Sequence, residues 1–120
     1  MRAIVTGAAR GIGRAICLRL ARDAAASGGV KLVLSDQHAD ELKSLIAEIH
    51  GMGGQAIAVP GDMSDPALPA TIVQAAEAFG GLDALVSNAG FAIPGPLATF
   101  DVANWDKVFA VHVRAPWLLA

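Results

Sequence analysis

Two hydrophobic periods alternate along this chain. Four short apolar runs, at residues 3–6, 31–35, 56–59 and 84–87, have the length and continuity of buried strands. Each precedes a stretch in which apolar residues return every three or four positions. These are Ile12/Ile16/Leu20, Leu42/Leu45/Ile46/Ile49, Leu68/Ile72/Ala76/Phe79 and Val102/Trp105/Phe109/Val113. That spacing places them on one face of a helix. Asp65-Pro66 has the form of an N-cap followed by proline at the first helical position, and so predicts the start of the third helix. Gly51, Gly53 and Gly54 end the second helix, and Gly80-Gly81 the third. Residues 24–29 read as a long helix end and turn. The βαβαβαβα order predicts an α/β fold, a doubly wound parallel sheet with right-handed crossovers. No linker or repeat divides the chain, so residues 1–120 form one domain or part of one.

Composition agrees. Hydrophobic residues make up 54% of the chain and mean hydropathy is +0.51, as expected where helices cover both faces of a sheet. A net charge of -2 and no Lys/Arg cluster point away from nucleic acid or an anionic membrane as partner. No apolar stretch has the length to span a bilayer, and Met1-Arg2 leads straight into the first strand. The expectation is a cytoplasmic protein. Cys17 is the sole cysteine, which leaves no disulfide framework and no cysteine metal site. On the first helix it reads as a small packed hydrophobe. His38 and His50 have no partner at metal-ligand spacing and read as surface residues.

The chemistry gathers where strands end. Thr6-Gly7-Ala8-Ala9-Arg10-Gly11-Ile12-Gly13 joins the first strand to the first helix. Glycines there let the backbone turn sharply and approach a bound group. The helix N-terminus behind them offers free N–H groups and the positive end of a dipole to a pyrophosphate. This is a dinucleotide-binding signature in its required strand-to-helix setting. Candidate cofactor contacts are Gly7, Ala9, Arg10, Gly11, Ile12 and Gly13. A P-loop is disfavoured, because Gly13-Arg14-Ala15 supplies no Lys-Ser/Thr pair.

Asp36 ends the second strand, 23 positions after Gly13 (36 − 13). A carboxylate at that place accepts hydrogen bonds from an adenosine ribose and repels a 2′-phosphate; the plain alternative is a solvated turn aspartate. Arg10 pulls the other way, since a guanidinium in the glycine turn can pair with a 2′-phosphate. The acid faces the 2′ position directly, so NAD is preferred, with NADP possible. Asp62-Met63 follows the third strand at the same sheet edge, and Asp62 is either an adenine contact or a turn residue bonded to its own backbone. Asn88-Ala89-Gly90 ends the fourth strand in a small turn that permits close approach. Asn88 donates and accepts at once and can tie neighbouring strand ends together.

These motifs together resemble the short-chain dehydrogenase/reductase family. The glycine turn, Asp36, Asp62, Asn88-Ala89-Gly90 and the Trp105-to-Leu119 helix stand in that family's order, and the resemblance spans residues 3–120. It implies a Rossmann-type α/β/α fold of which the first four strands and helices are present. It also implies an NAD(P) cofactor, reversible oxidation of an alcohol to a carbonyl, and a homodimer or homotetramer. Complete chains of the matching subgroup are roughly twice this length. The family's catalytic Ser and Tyr-x-x-x-Lys come after the point where this chain ends, and this chain has no tyrosine. The resemblance therefore presents the chain as the cofactor-binding part of a longer single-domain enzyme, poorly stable and inactive alone. The alternative is a non-catalytic nucleotide-binding module, a sensor or interaction protein. Residues 24–29 are longer than the family's usual turn, and His112 stands at the family's asparagine position in the fourth helix. That asparagine serves a proton-relay water chiefly through its main-chain carbonyl. Pro116, four residues on, has no N–H, so in a regular helix it would leave the His112 carbonyl free. His112 is thus a relay candidate, the alternative being a packed histidine at a kink.

Overall fold

In the computed structural model, which describes all 120 residues, four parallel strands form one sheet in the order β3-β2-β1-β4. The strands are β1 (Arg2–Thr6), β2 (Lys31–Ser35), β3 (Gln55–Ala58) and β4 (Ala84–Val86). Strand β1 lies between β2 and β4, in register Ile4 to Val33 and Ile4 to Leu85. Helices α1 (Gly11–Ala24), α2 (Ala39–Gly51), α3 (Leu68–Glu77), α4 (Val102–Phe109) and α5 (Ala115–Leu119) complete the three-layer doubly wound arrangement. No helix is long and apolar enough to cross a membrane.

Strand side chains alternate between the two layers, as period-2 geometry requires. Ala3, Val5, Leu32 and Leu34 pack with Cys17 and Ala21 of α1 and Leu42, Leu45 and Ile49 of α2. Ile4 and Val33 point the other way, onto Ile72 and Ala76 of α3 and onto Val111, Ala115 and Leu119. Each central strand is therefore apolar on both faces, which is why these runs show no polar alternation. Burial pushes the Cys17 thiol up to about 12, so it packs as an inert hydrophobe.

Three expectations need correction. First, the buried face of α1 is Gly13, Cys17 and Ala21, one position on from Ile12, Ile16 and Leu20. Ile12 is 73% exposed. The helix lies so close to the strand ends that only small side chains fit beneath it. Second, α3 starts at Leu68 with Pro69 in its first turn. Asp65 caps the preceding turn instead, its carboxylate accepting from the Ala67 N–H at 2.9 Å. Third, the last helical stretch is not one regular α-helix. Between α4 and α5, residues Ala110–Arg114 form a π turn, and the Ala115 N–H donates to the Ala110 carbonyl. The residue-112-to-116 bond that a regular helix would contain is thus replaced by wider spacing, which accommodates Pro116 without a break.

Arg2 and Asp83 fasten the opposite end of the sheet. The Asp83 carboxylate accepts from the Arg2 backbone N–H at 2.7 Å and from its guanidinium at 2.6 and 3.1 Å. These bonds hold the Asp83 carboxyl down at about 2. A depressed carboxyl contributes stability above the unfolded-state value and loses it as pH falls through the folded one. The melting-temperature difference between the parent and Asp83→Asn should therefore be full at neutral pH and shrink between about pH 4 and 2. Ile72→Ala removes a side chain with 0% exposure and should cost roughly 2–5 kcal/mol in denaturant unfolding. Ile12→Ala should stay within about 0.5 kcal/mol. Equal losses would restore the original register of α1.

Candidate functional site

All four strands point their carboxyl ends at one cleft of about 440 Å³. In an open parallel sheet this is where ligands bind. Its floor is a clasp between β1 and the turn after β4. The buried Thr6 hydroxyl accepts from the backbone N–H groups of Asn88 and Ala89, at 3.1 and 3.0 Å. In return the Asn88 side-chain amide donates to the Thr6 and Gly7 carbonyls, both at 3.1 Å.

Glycine 13 packs onto this clasp. A Cβ there would fall 2.7 Å from the Asn88 Nδ2 and collide with the Gly7 carbonyl, so no other residue lets α1 come this near. Gly7 itself turns with φ +63°, a left-handed conformation suited to glycine. The result aims the start of α1 at the cleft. No side chain caps that helix, and its first turn holds no acid. Its leading N–H groups and dipole are thus available to an anion.

Asp36, just past the end of β2, closes onto the glycine turn. One carboxylate oxygen accepts from the Ala9 N–H at 3.0 Å. The other accepts from the His38 N–H at 3.1 Å and lies 2.8 Å from His38 Nδ1. Burial pushes the Asp36 carboxyl up, but the bonds from the His38 ring and the Ala9 and His38 backbones outweigh it, and the group is held below the usual carboxylate range. Asp62 is likewise depressed, first by the Ser64 N–H and then by the Ser64 hydroxyl, at 2.9 and 2.8 Å. Its carboxylate is thus engaged in its own turn while still lining the cleft.

Of the residues singled out in the sequence, Gly7, Arg10, Gly11, Asp36, Asp62, Met63, Asn88, Ala89 and Gly90 line the cleft. Ala9 and Gly13 are buried beneath it, and Ile12 projects away. His112 lies in an adjoining apolar groove with Ile93, Leu97, Phe100, Trp105 and Phe109. Its Nε2 is 2.8 Å from the Phe91 carbonyl and 3.1 Å from the Phe91 nitrogen. Unprotonated, that nitrogen accepts from the Phe91 N–H; protonated, it donates to the Phe91 oxygen. The ring sits so close to Gly90 that a Cβ there would lie 2.6 Å from it.

The cleft also holds residues that no motif marked, among them His38, which the sequence placed only at the surface. Gln37 and His38 follow Asp36, and Lys107 comes from α4, its ammonium 5.8 Å over the Phe91 ring. Ser35 lines the cleft as well, and its buried hydroxyl has no hydrogen-bond partner. Period-2 alternation could have placed Ser35; nothing in the sequence signalled Lys107. No three His, Cys, Asp or Glu side chains converge as metal ligands. An unpartnered hydroxyl, free helix N–H groups and a glycine cradle that a Cβ would fill suit a phosphorylated, hydroxyl-rich ligand such as a dinucleotide.

Comparison with known proteins agrees with this geometry. The family model described as short chain dehydrogenase matches residues 1–120. A short-chain dehydrogenase/reductase of Hericium erinaceus is 42% identical over 117 residues, covering 97% of this chain and 46% of that protein. A short chain dehydrogenase of Burkholderia cenocepacia, solved with NADP, superposes with TM-score 0.88 at 38% identity, over 98% of this chain and 47% of that one. The L-sorbose reductase of Gluconobacter frateurii, solved with NADPH and L-sorbose, gives TM-score 0.90 at 27% identity, over 99% and 44%. The chain spans less than half the length of these relatives. With a strand order, a glycine cradle and a family model that all agree over its whole length, this chain belongs to the short-chain dehydrogenase family.

Proposed function

We propose that this chain is the cofactor-binding part of an oxidoreductase that moves a hydride between a nicotinamide dinucleotide and an alcohol or carbonyl substrate. In this reading residues 1–120 are the N-terminal part of a longer single-domain enzyme, a homodimer or homotetramer. The observation that carries it is the uncapped start of α1, held against the strand ends by Gly13 and facing a cleft that Asp36 closes. Support also comes from the neighbours solved with NADP or NADPH.

The bound dinucleotide supplies the hydride acceptor or donor. The chain's residues bind and orient it. The turn from Gly7 to Gly13 receives the pyrophosphate on backbone N–H groups, where the helix dipole favours its charge. Asp36, kept ionised by its hydrogen bonds, accepts from the adenosine ribose and makes NAD the preferred cofactor. The turn at Asp62 and Met63 borders the adenine. Asn88, Ala89 and Gly90 form the wall along which the nicotinamide ribose lies. His112 fixes the backbone at Phe91, beside Gly90, through its ring nitrogen, and stands where the family places its relay asparagine. The catalytic acid/base is supplied from outside these 120 residues, so the chain alone binds cofactor without turnover.

Fluorescence titration tests this. The chain should bind NADH more tightly than NADPH. Asp36→Ala should weaken NADH binding by about ten- to a hundredfold, the loss expected for hydrogen bonds to a charged group, and abolish the preference. Gly13→Ala should remove binding of both. His112→Asn should change NADH affinity by less than about twofold, because the ring faces the groove and not the cleft. Retention of NADH preference by Asp36→Ala would refute the role of that carboxylate.

A further inference from the structure

Resting on the cofactor reading, a further inference concerns how the rim of the cleft tells one dinucleotide from the other. Arg10 is the sole cation in the glycine turn and occupies the N-cap of α1. Its side chain is 61% exposed, free enough to swing across the rim. Yet both its Nε, at 3.1 Å, and its Nη2 donate to one oxygen of Glu41, in the first turn of α2. That bond from Arg10 is the main cause holding the Glu41 carboxyl below its ordinary range. Arg14, one turn further along α1, is drawn the same way and pairs with Glu48. On the same rim His38 Nδ1 lies 2.8 Å from an Asp36 oxygen, and the other cation lining the cleft is the Lys107 ammonium, brought in from α4. A 2′-phosphate entering here would meet two carboxylates and no unpaired guanidinium.

We propose that Glu41 is a specificity-determining residue. By holding the Arg10 guanidinium on α2, it denies a 2′-phosphate its cation and biases the cleft toward NAD(H) over NADP(H). Glu41 acts through Arg10 and touches no cofactor. Exposed ion pairs are weak, so the guanidinium remains exchangeable. Glu41 therefore imposes a bias of about three- to tenfold and not an exclusion, and it does so through Arg10.

The test is titration of the chain with NADH and NADPH at low ionic strength, where exposed charges are least screened. Glu41→Gln should tighten NADPH binding about three- to tenfold and leave NADH within about twofold. Glu41→Ala should behave alike, which guards against a local effect of the glutamine. In the Arg10→Ala/Glu41→Gln double variant the gain should vanish, since a double-mutant cycle isolates the coupling between the two side chains. Glu48→Gln removes an equal charge from the same helix and should leave the NADPH/NADH ratio unchanged. An unaltered ratio in both Glu41 variants overturns the inference. So does a gain that persists without Arg10, or an equal gain in Glu48→Gln, either of which would mean bulk charge alone. The chain's fold is verified by circular dichroism beforehand, and failure of that folded parent chain to bind either dinucleotide overturns the cofactor reading and this inference with it.

Discussion

The site depends on the clasp between Thr6 and Asn88. Four hydrogen bonds join the end of β1 to the turn after β4, using a hydroxyl, an amide and four backbone groups. All are partly buried, where an unmade bond is costly. The clasp sets where β4 stops, and it places the Gly7 carbonyl and the Asn88 amide as the surface on which α1 lands. Gly13 follows from that landing, and the buried face of small residues on α1 follows from Gly13. The direction of the helix N-terminus, the feature that makes the cleft attractive to an anion, is therefore decided by two polar side chains beneath it.

Charges at the rim are organised differently. They lie near solvent and are paired, Arg10 with Glu41 from α1 to α2, and His38 with Asp36 within the turn after β2. Such exposed pairs contribute little to folding. The two ends of the sheet thus do different work. At one, Arg2 and Asp83 tie β1 to the segment leading into β4. At the other, the same strands diverge into loops whose backbone and side chains face the cleft.

Much of this was legible in the residues. Continuous apolar runs can be strands only if both faces are covered, so the three-layer arrangement followed from them. The glycine turn was legible because its physics is local: a sharp turn, then a helix start. Asp36 was legible from its distance to that turn. Registers of amphipathic helices were less so. Ile12, Ile16 and Leu20 satisfy helical spacing, yet the true face is one residue over, because Gly13, Cys17 and Ala21 are small rather than strongly apolar. A periodicity argument weighs hydrophobicity and cannot weigh closeness of approach. The π turn at Ala110–Arg114 was hidden for a similar reason, since only the proline at 116 marked the spot.

By itself, then, the sequence determined the order of strands and helices, the parallel doubly wound class and the location of the glycine turn, all of which rest on short-range periodicity and local backbone preference. Tertiary structure decided what no spacing contains: that Asn88 reaches back across 82 positions to Thr6, that His112 turns to the Phe91 backbone, and that Arg10 pairs with Glu41 on α2. Those choices are made by distances between elements, which arise only when the layers pack and buried polar groups must find partners.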